Sequence, residues 1–171
     1  MTDIVRLDAR LAAQIPSVRG GPGWNGGDLK WKRYYREHLA GYRVTLVALS
    51  EEDPVGYGSL LRQSAYRPFA DARIPEINDL AVAVEHRRRG IGRALIAALE
   101  RCAVDWGCDE VGLGVGLYAD YGAAQRLYVG LGYVPDGAGI TCDHRPIPAG
   151  ATFRLDDDAV LWLTRRVAAA P

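Results

Sequence analysis

The stretch that most constrains this chain runs from Glu76 to Gly92: Glu-Ile-Asn-Asp-Leu-Ala-Val-Ala-Val-Glu-His-Arg-Arg-Arg-Gly-Ile-Gly. Leu80, Val82 and Val84 alternate as a strand does. A basic turn follows, carrying Arg87-x-x-Gly90-x-Gly92, and opens into a helical pattern. Glycines there let main-chain N–H groups approach an anion, and the first N–H groups of a helix have no internal partner. A strand, a glycine turn and a helix start in this order predict a site for a phosphate-bearing ligand.

The rest of the chain predicts a mixed α/β domain spanning all 171 residues, a length suited to one core. Asp3–Leu7 and Ala9–Ser17 read as a first strand and helix. A glycine-rich turn covers 20–27, and Asp28 caps a helix to about Leu39. Tyr42–Leu49 and Val55–Gln63 form a hairpin around Ser50–Pro54. A loop at Tyr66–Arg73 leads to a strand over Ile74–Val84. In the helix Gly90–Trp106, Ile91, Leu95, Leu99, Cys102 and Trp106 share a face, and Gly107 ends it. Asp109–Leu117 is a strand, and Asp120 caps a helix to Gly130. Tyr133 and Val134 begin a strand, Pro135–Asp158 is irregular, and Ala159–Thr164 is the last strand.

These residues resemble the GNAT superfamily of acetyl-CoA-dependent N-acetyltransferases. The resemblance is carried by Leu80-Ala81-Val82, by Arg87-Arg88-Arg89-Gly90-Ile91-Gly92, and by Ala124-x-x-Leu127-Tyr128-x-x-x-Gly132-Tyr133. It implies a twisted, mixed, mostly antiparallel sheet flanked by helices, with acetyl-CoA as cofactor. It implies that the backbone of Leu80, Ala81 and Val82 faces the acetyl group and pantetheine. Arg87, Arg88, Arg89, Gly90, Ile91, Gly92 and Arg93 would wrap the pyrophosphate, with Ala124 beside the cofactor. Tyr128 falls on the family's tyrosine that protonates the leaving thiolate. Glu76 falls where some members place a general base. Two positions depart from the pattern: Tyr121 stands where many members have Asn, and Tyr133 where Phe is usual. A homodimer is plausible by the same resemblance.

The chemistry supports those roles. An alkylamine has a pKa of about 10, so it must lose a proton before it attacks. A carboxylate can take it directly or through water. Strand alternation places Glu76 on one face with Asn78, Leu80 and Val82, and Asp79 on the other unless a bulge shifts the register. A backbone N–H near Val82 would serve the developing oxyanion. No cysteine falls in either motif, which argues for direct transfer without an acyl-enzyme.

Other readings compete. A non-catalytic acyl-CoA-binding module would share the same motifs. A dinucleotide fingerprint needs a third glycine where this chain has Leu95. His86-Arg87-Arg88-Arg89 suggests a nucleic-acid patch, but 21 basic and 21 acidic residues balance, which argues against a broad anionic partner or a membrane surface. Cys142-x-His144 supplies two ligands, too few for a metal centre. Three cysteines without paired spacing fit a reduced, cytoplasmic setting. Trp24, Trp31, Tyr34 and Tyr35 read equally as an acceptor wall or as core packing. The resemblance implies a small-molecule or peptide amine as acceptor, with its specificity set by 20–39, 66–73 and 136–153.

Overall fold

The structure, a computed structural model, describes residues 2–17 and 27–167. The glycine-rich turn expected over 20–27 lies outside the described residues but for Gly27, as does Trp24. The chain begins with strand β1 (Thr2–Arg6) and helices α1 (Ala9–Gln14) and α2 (Gly27–Leu39). The hairpin β2 (Arg43–Ser50) and β3 (Asp53–Leu61) follows, then α3 (Arg67–Ala72), β4 (Glu76–Val82) and α4 (Ile91–Asp105). The second half holds β5 (Glu110–Gly116), α5 (Gly122–Gly130), β6 (Val134–Cys142), β7 (Arg145–Pro146) and β8 (Ala159–Arg166). One mixed sheet results, in the order β1-β2-β3-β4-β5-β8-β6-β7. The β4–β5 pair is parallel, and the other pairs are antiparallel.

Helices cover both faces of the sheet. Against one face lie α4 and α5, in a core that includes Leu46, Leu60, Ile77, Leu95, Leu99, Leu113 and Leu163. Each such side chain, fully buried, contributes about 1.5–3 kcal/mol. The fit is close because β3 carries glycine where α4 and β4 press on it: a Cβ on Gly58 would stand 2.8 Å from Leu80 Cδ1 and 3.1 Å from Leu99 Cδ1. On the other face, α1, the 3₁₀ turn after it (Ile15–Ser17) and α2 bury Leu11, Ile15, Trp31 and Tyr34 against Val47 and Tyr57. Farther along that face Tyr66, Phe69 and Trp162 form a third cluster, Tyr66 stacked on Trp162 at 4.2 Å.

Several expectations change. Trp31 is wholly buried, so it belongs to the core, while Tyr35 only packs at its edge. Residues 66–73 include the short helix α3, started by Pro at its first turn and ended by Arg73 in the left-handed region (φ +57°). Asp120 does not cap α5. It sits in a 3₁₀ turn (Ala119–Tyr121), and Tyr121 occupies the cap position without a side-chain bond. The stretch expected to be irregular contains β6, which pairs with β8 on both sides of a register shift between Pro135 and Ile140. Gly137 and Gly139, both at positive φ, lie in that shift and conceal the strand pattern. Val84 leaves β4 for a 3₁₀ turn (Val84–His86).

Candidate active site

The β4–β5 pair is joined only at Glu76↔Gly112 and Ile77↔Leu113. Beyond it, β4 stays paired with β3 and β5 stays paired with β8. The sheet therefore opens into a wedge, with Asn78–Val82 on one wall and Gly114–Gly116 on the other.

A bulge shapes the β4 wall. Tyr57 pairs with Ala81 and Ser59 with Asn78, so Gly58 alone faces two residues, Asp79 and Leu80. Asp79 takes the left-handed conformation (φ +54°), and its side chain joins Tyr34 and Tyr57 on the α2 side. Leu80 and Val82 pack into the α4 core while Ala81 packs with the α2 cluster. The bulge corrects the simple alternation: Glu76, Asn78 and Asp79 share one face, and Leu80 and Val82 turn to the other. A bulge adds one residue and re-aims the side chains beyond it.

The two carboxylates of that face differ. Glu76 is 5% exposed. One oxygen accepts a very short bond from the Ser64 hydroxyl, and the other accepts from Asn78 Nδ2 at 2.9 Å. Asp79 is more open and sits beyond the last β4–β5 pair. It accepts from Tyr34 Oη at 2.8 Å and Tyr57 Oη at 3.1 Å, and pairs with Lys30 Nζ at 2.6 Å. Burial first, then the Asp79 charge, pushes both tyrosine hydroxyls well above their ordinary range.

At the mouth of the wedge the chain turns into α4. Arg88 (φ +61°) and Gly90 (φ +83°) both take left-handed backbone. Gly90 is the N-cap of α4 with no side chain bonded to the cap, and the first intrahelical bond is Ala94 N to Gly90 O, 3.0 Å. The N–H groups ahead of Ala94 are thus available to an anion. Arg87, Arg88, Arg89 and Arg93 are exposed around them, and Arg87 Nε bonds Val82 O at 3.1 Å. Ile91, the first residue of α4, is the exception, its side chain buried in the core. A Cβ on Gly92 would meet Leu127 Cδ2 at 3.3 Å and Val82 Cγ2 at 4.0 Å. That contact brings the turn, β4 and α5 together.

On α5, Ala124 and Leu127 pack at the edge of the α4 core, and Tyr128 is 7% exposed within it. Burial pushes the Tyr128 hydroxyl up to about 12. The fully buried side-chain polar atoms without a partner, among the described residues, are Trp31 Nε1 and Arg43 Nη1. Tyr128 Oη is not one of them, and it makes no hydrogen bond to a described residue. On the β5 wall, Tyr121 fills the space a Cβ on Gly116 would take, 2.4 Å away. Tyr118 and Tyr121 both donate to Asp157, the first through a very short bond and the second at 2.9 Å.

Sequence reasoning missed Lys30, Tyr57, Ser64 and Asp157. Each meets its partner across a long span of chain, so no local pattern marks them. Cys142 and His144 do not converge on a ligand set; His144 tilts over Trp162 at 5.7 Å.

The acetyltransferase (GNAT) family model matches residues 21–133. Among solved structures, a GNAT-family protein from Desulfovibrio desulfuricans aligns with TM-score 0.73 at 18% identity, covering 98% of this chain and all of that one. YncA from Salmonella typhimurium, solved with acetyl-CoA, aligns at 0.71 and 18%, covering 100% and 98%. The ribosomal-protein-S18-alanine N-acetyltransferase of Escherichia coli aligns at 0.66 and 17%, covering 100% and 97%. A search of curated proteins finds no match.

Proposed function

Because this chain belongs to the acetyltransferase (GNAT) family, we propose that it transfers the acetyl group of acetyl-CoA directly to a primary amine. The residues present fit that donor. The wedge leaves the facing edges of β4 and β5 unpaired with each other, and the uncapped α4 start opens beside it among exposed arginines. Acetyl-CoA supplies an activated acetyl thioester.

The N–H groups at the start of α4, with Arg87, Arg88, Arg89 and Arg93, hold the pyrophosphate; Gly90 and Gly92 keep that turn narrow. The β4 backbone at Leu80, Ala81 and Val82 lines the acetyl end, with Ala124 and Leu127 on the opposite side. Tyr128 carries the proton that any tyrosine holds at neutral pH and gives it to the departing sulfur. Glu76, fixed by Ser64 and Asn78, accepts the amine's proton through water. Asp79 is the second candidate for that step, because the bulge places it inside the wedge on the same face. We place the enzyme in the cytoplasm on the strength of three unpaired cysteines. Among the described residues no helix is long and apolar enough to cross a membrane.

The observation that carries this reading is the wedge between β4 and β5 with an uncapped helix start beside it. The test is release of CoA thiol from acetyl-CoA across aminoglycosides, polyamines, amino acids and short peptides. Turnover with one class, reduced about 10²–10⁴-fold in Tyr128→Phe, is the expected result. CoA binding with no turnover of any amine would return the chain to the binding-module reading.

A further inference from the structure

Lys30 Nζ sits in an ammonium cage built from the protein's own core. It pairs with Asp79 Oδ2 at 2.6 Å and donates to Tyr57 Oη at 2.8 Å. The rings of Trp31, Tyr34 and Tyr57 surround it with centroids at 5.4, 5.4 and 4.9 Å. Aromatic faces and a carboxylate together are the chemistry that recognises alkylammonium. The three walls are 0, 4 and 0% exposed, and the tyrosine hydroxyls are tied to Asp79. The aromatic walls are therefore fixed by core packing, and the two tyrosine bonds hold Asp79 alongside the Lys30 pair. Lys30 enters on a flexible four-carbon stem that can withdraw. The carboxylate at its centre belongs to the stretch of β4 that has no β5 partner.

We propose that this cage receives the ammonium group of the acceptor, and that Lys30 occupies it as an internal competitor which the acceptor displaces. The inference rests on the acetyl-transfer reading for what happens next, but not for the binding itself. It names the substrate class: an unbranched primary alkylamine, resembling the lysine side chain it replaces. An α-amine flanked by its own carboxylate would set like charges together at Asp79. An uncharged aryl amine would leave that carboxylate unpaired.

The experiment is calorimetric titration of n-butylammonium into wild type, Lys30→Met, Lys30→Gln and Lys30→Arg, without acetyl-CoA. Lys30→Gln is carried because its amide can still donate to Asp79 if the apolar variant folds poorly; thermal melting checks each. If Lys30 leaves the cage open about one-tenth of the time, removing its charge tightens binding by roughly tenfold. Lys30→Arg keeps a cation in place and gains nothing. Adding Asp79→Asn to Lys30→Met abolishes the gain. Folded Lys30→Met and Lys30→Gln that bind no tighter than wild type overturn the proposal. Turnover of n-butylamine with acetyl-CoA is read separately. Turnover without tighter binding sinks the cage alone, and tighter binding without turnover sinks acetyl transfer while leaving the cage standing.

Discussion

The ring of Phe69 fills the space that a side chain on Gly112 would need: a Cβ there would lie 2.1 Å from Phe69 Cε2. Gly112 is also the β5 partner of Glu76. One glycine thus joins the aromatic cluster beside α3 to the two-pair ladder that closes the inner end of the wedge. Gly112→Ala forces Phe69 from its edge contact with Trp162 at 5.3 Å. Overpacking of this kind costs about 1–3 kcal/mol. A thermal melt reads the loss, and because Glu76 moves with the rung, turnover falls as well. An unchanged melting temperature would show that Phe69 swings aside freely.

The two carboxylates of the β4 face separate by mutation. Removing the proton acceptor slows turnover about 10²–10⁴-fold. We expect this for Glu76→Gln. For Asp79→Asn we expect mainly a higher KM for the amine, since its partners are the cage side chains. A kcat that survives Glu76→Gln and collapses in Asp79→Asn would exchange the two assignments.

Gly90 holds a left-handed cap at φ +83°, where a Cβ meets no neighbour. Gly90→Ala therefore adds backbone strain and no clash, about 1–2 kcal/mol. That strain bears on the turn that presents the free N–H groups. The expected result is a raised KM for acetyl-CoA with the amine KM unchanged. An equal rise in both constants would mean that the turn does not serve the donor alone.

Alkaline stability follows from buried phenols. Burial raises the Tyr34, Tyr57, Tyr128 and Tyr133 hydroxyls, Tyr128 to about 12. Above pH 10 the unfolded chain gives up protons that the folded one keeps. This stabilisation is complete below pH 10 and drains away as pH rises toward 12. Tyr128 contributes roughly 2–3 kcal/mol of that loss, at about 1.4 kcal/mol per pH unit. Melting temperature measured from pH 8 to 12 should fall steeply above 10, and less steeply in Tyr128→Phe.

Some of this architecture was legible in the residues. Helix α4 lies within one residue of its expected ends, because Leu95, Leu99 and Cys102 repeat at helical spacing and Gly90 and Gly107 punctuate it. The hairpin of β2 and β3 is equally plain, although both strands are buried on both faces and so lack clean alternation. What stayed hidden depends on distant partners. An aspartate in left-handed backbone carries a local cost, and Asp79 is held there by Lys30, Tyr34 and Tyr57, up to 49 positions away. No window around Glu76–Val82 contains them. The strand β6 was missed for the opposite reason: its own Gly137 and Gly139 read as a loop, and only pairing with β8 makes it a strand.

The wedge has a consequence for the sheet as a mechanical object. Its two halves share a ladder only two residue pairs long, so each half ends in an open strand edge inside the molecule. Open edges invite any extended chain rich in amides to pair with them. A ligand with its own amides, lodged there, serves as a short surrogate strand and makes the sheet continuous. Loading the site then stiffens the protein along that seam, and slower amide exchange should appear on β4 and β5 together, well away from the phosphates.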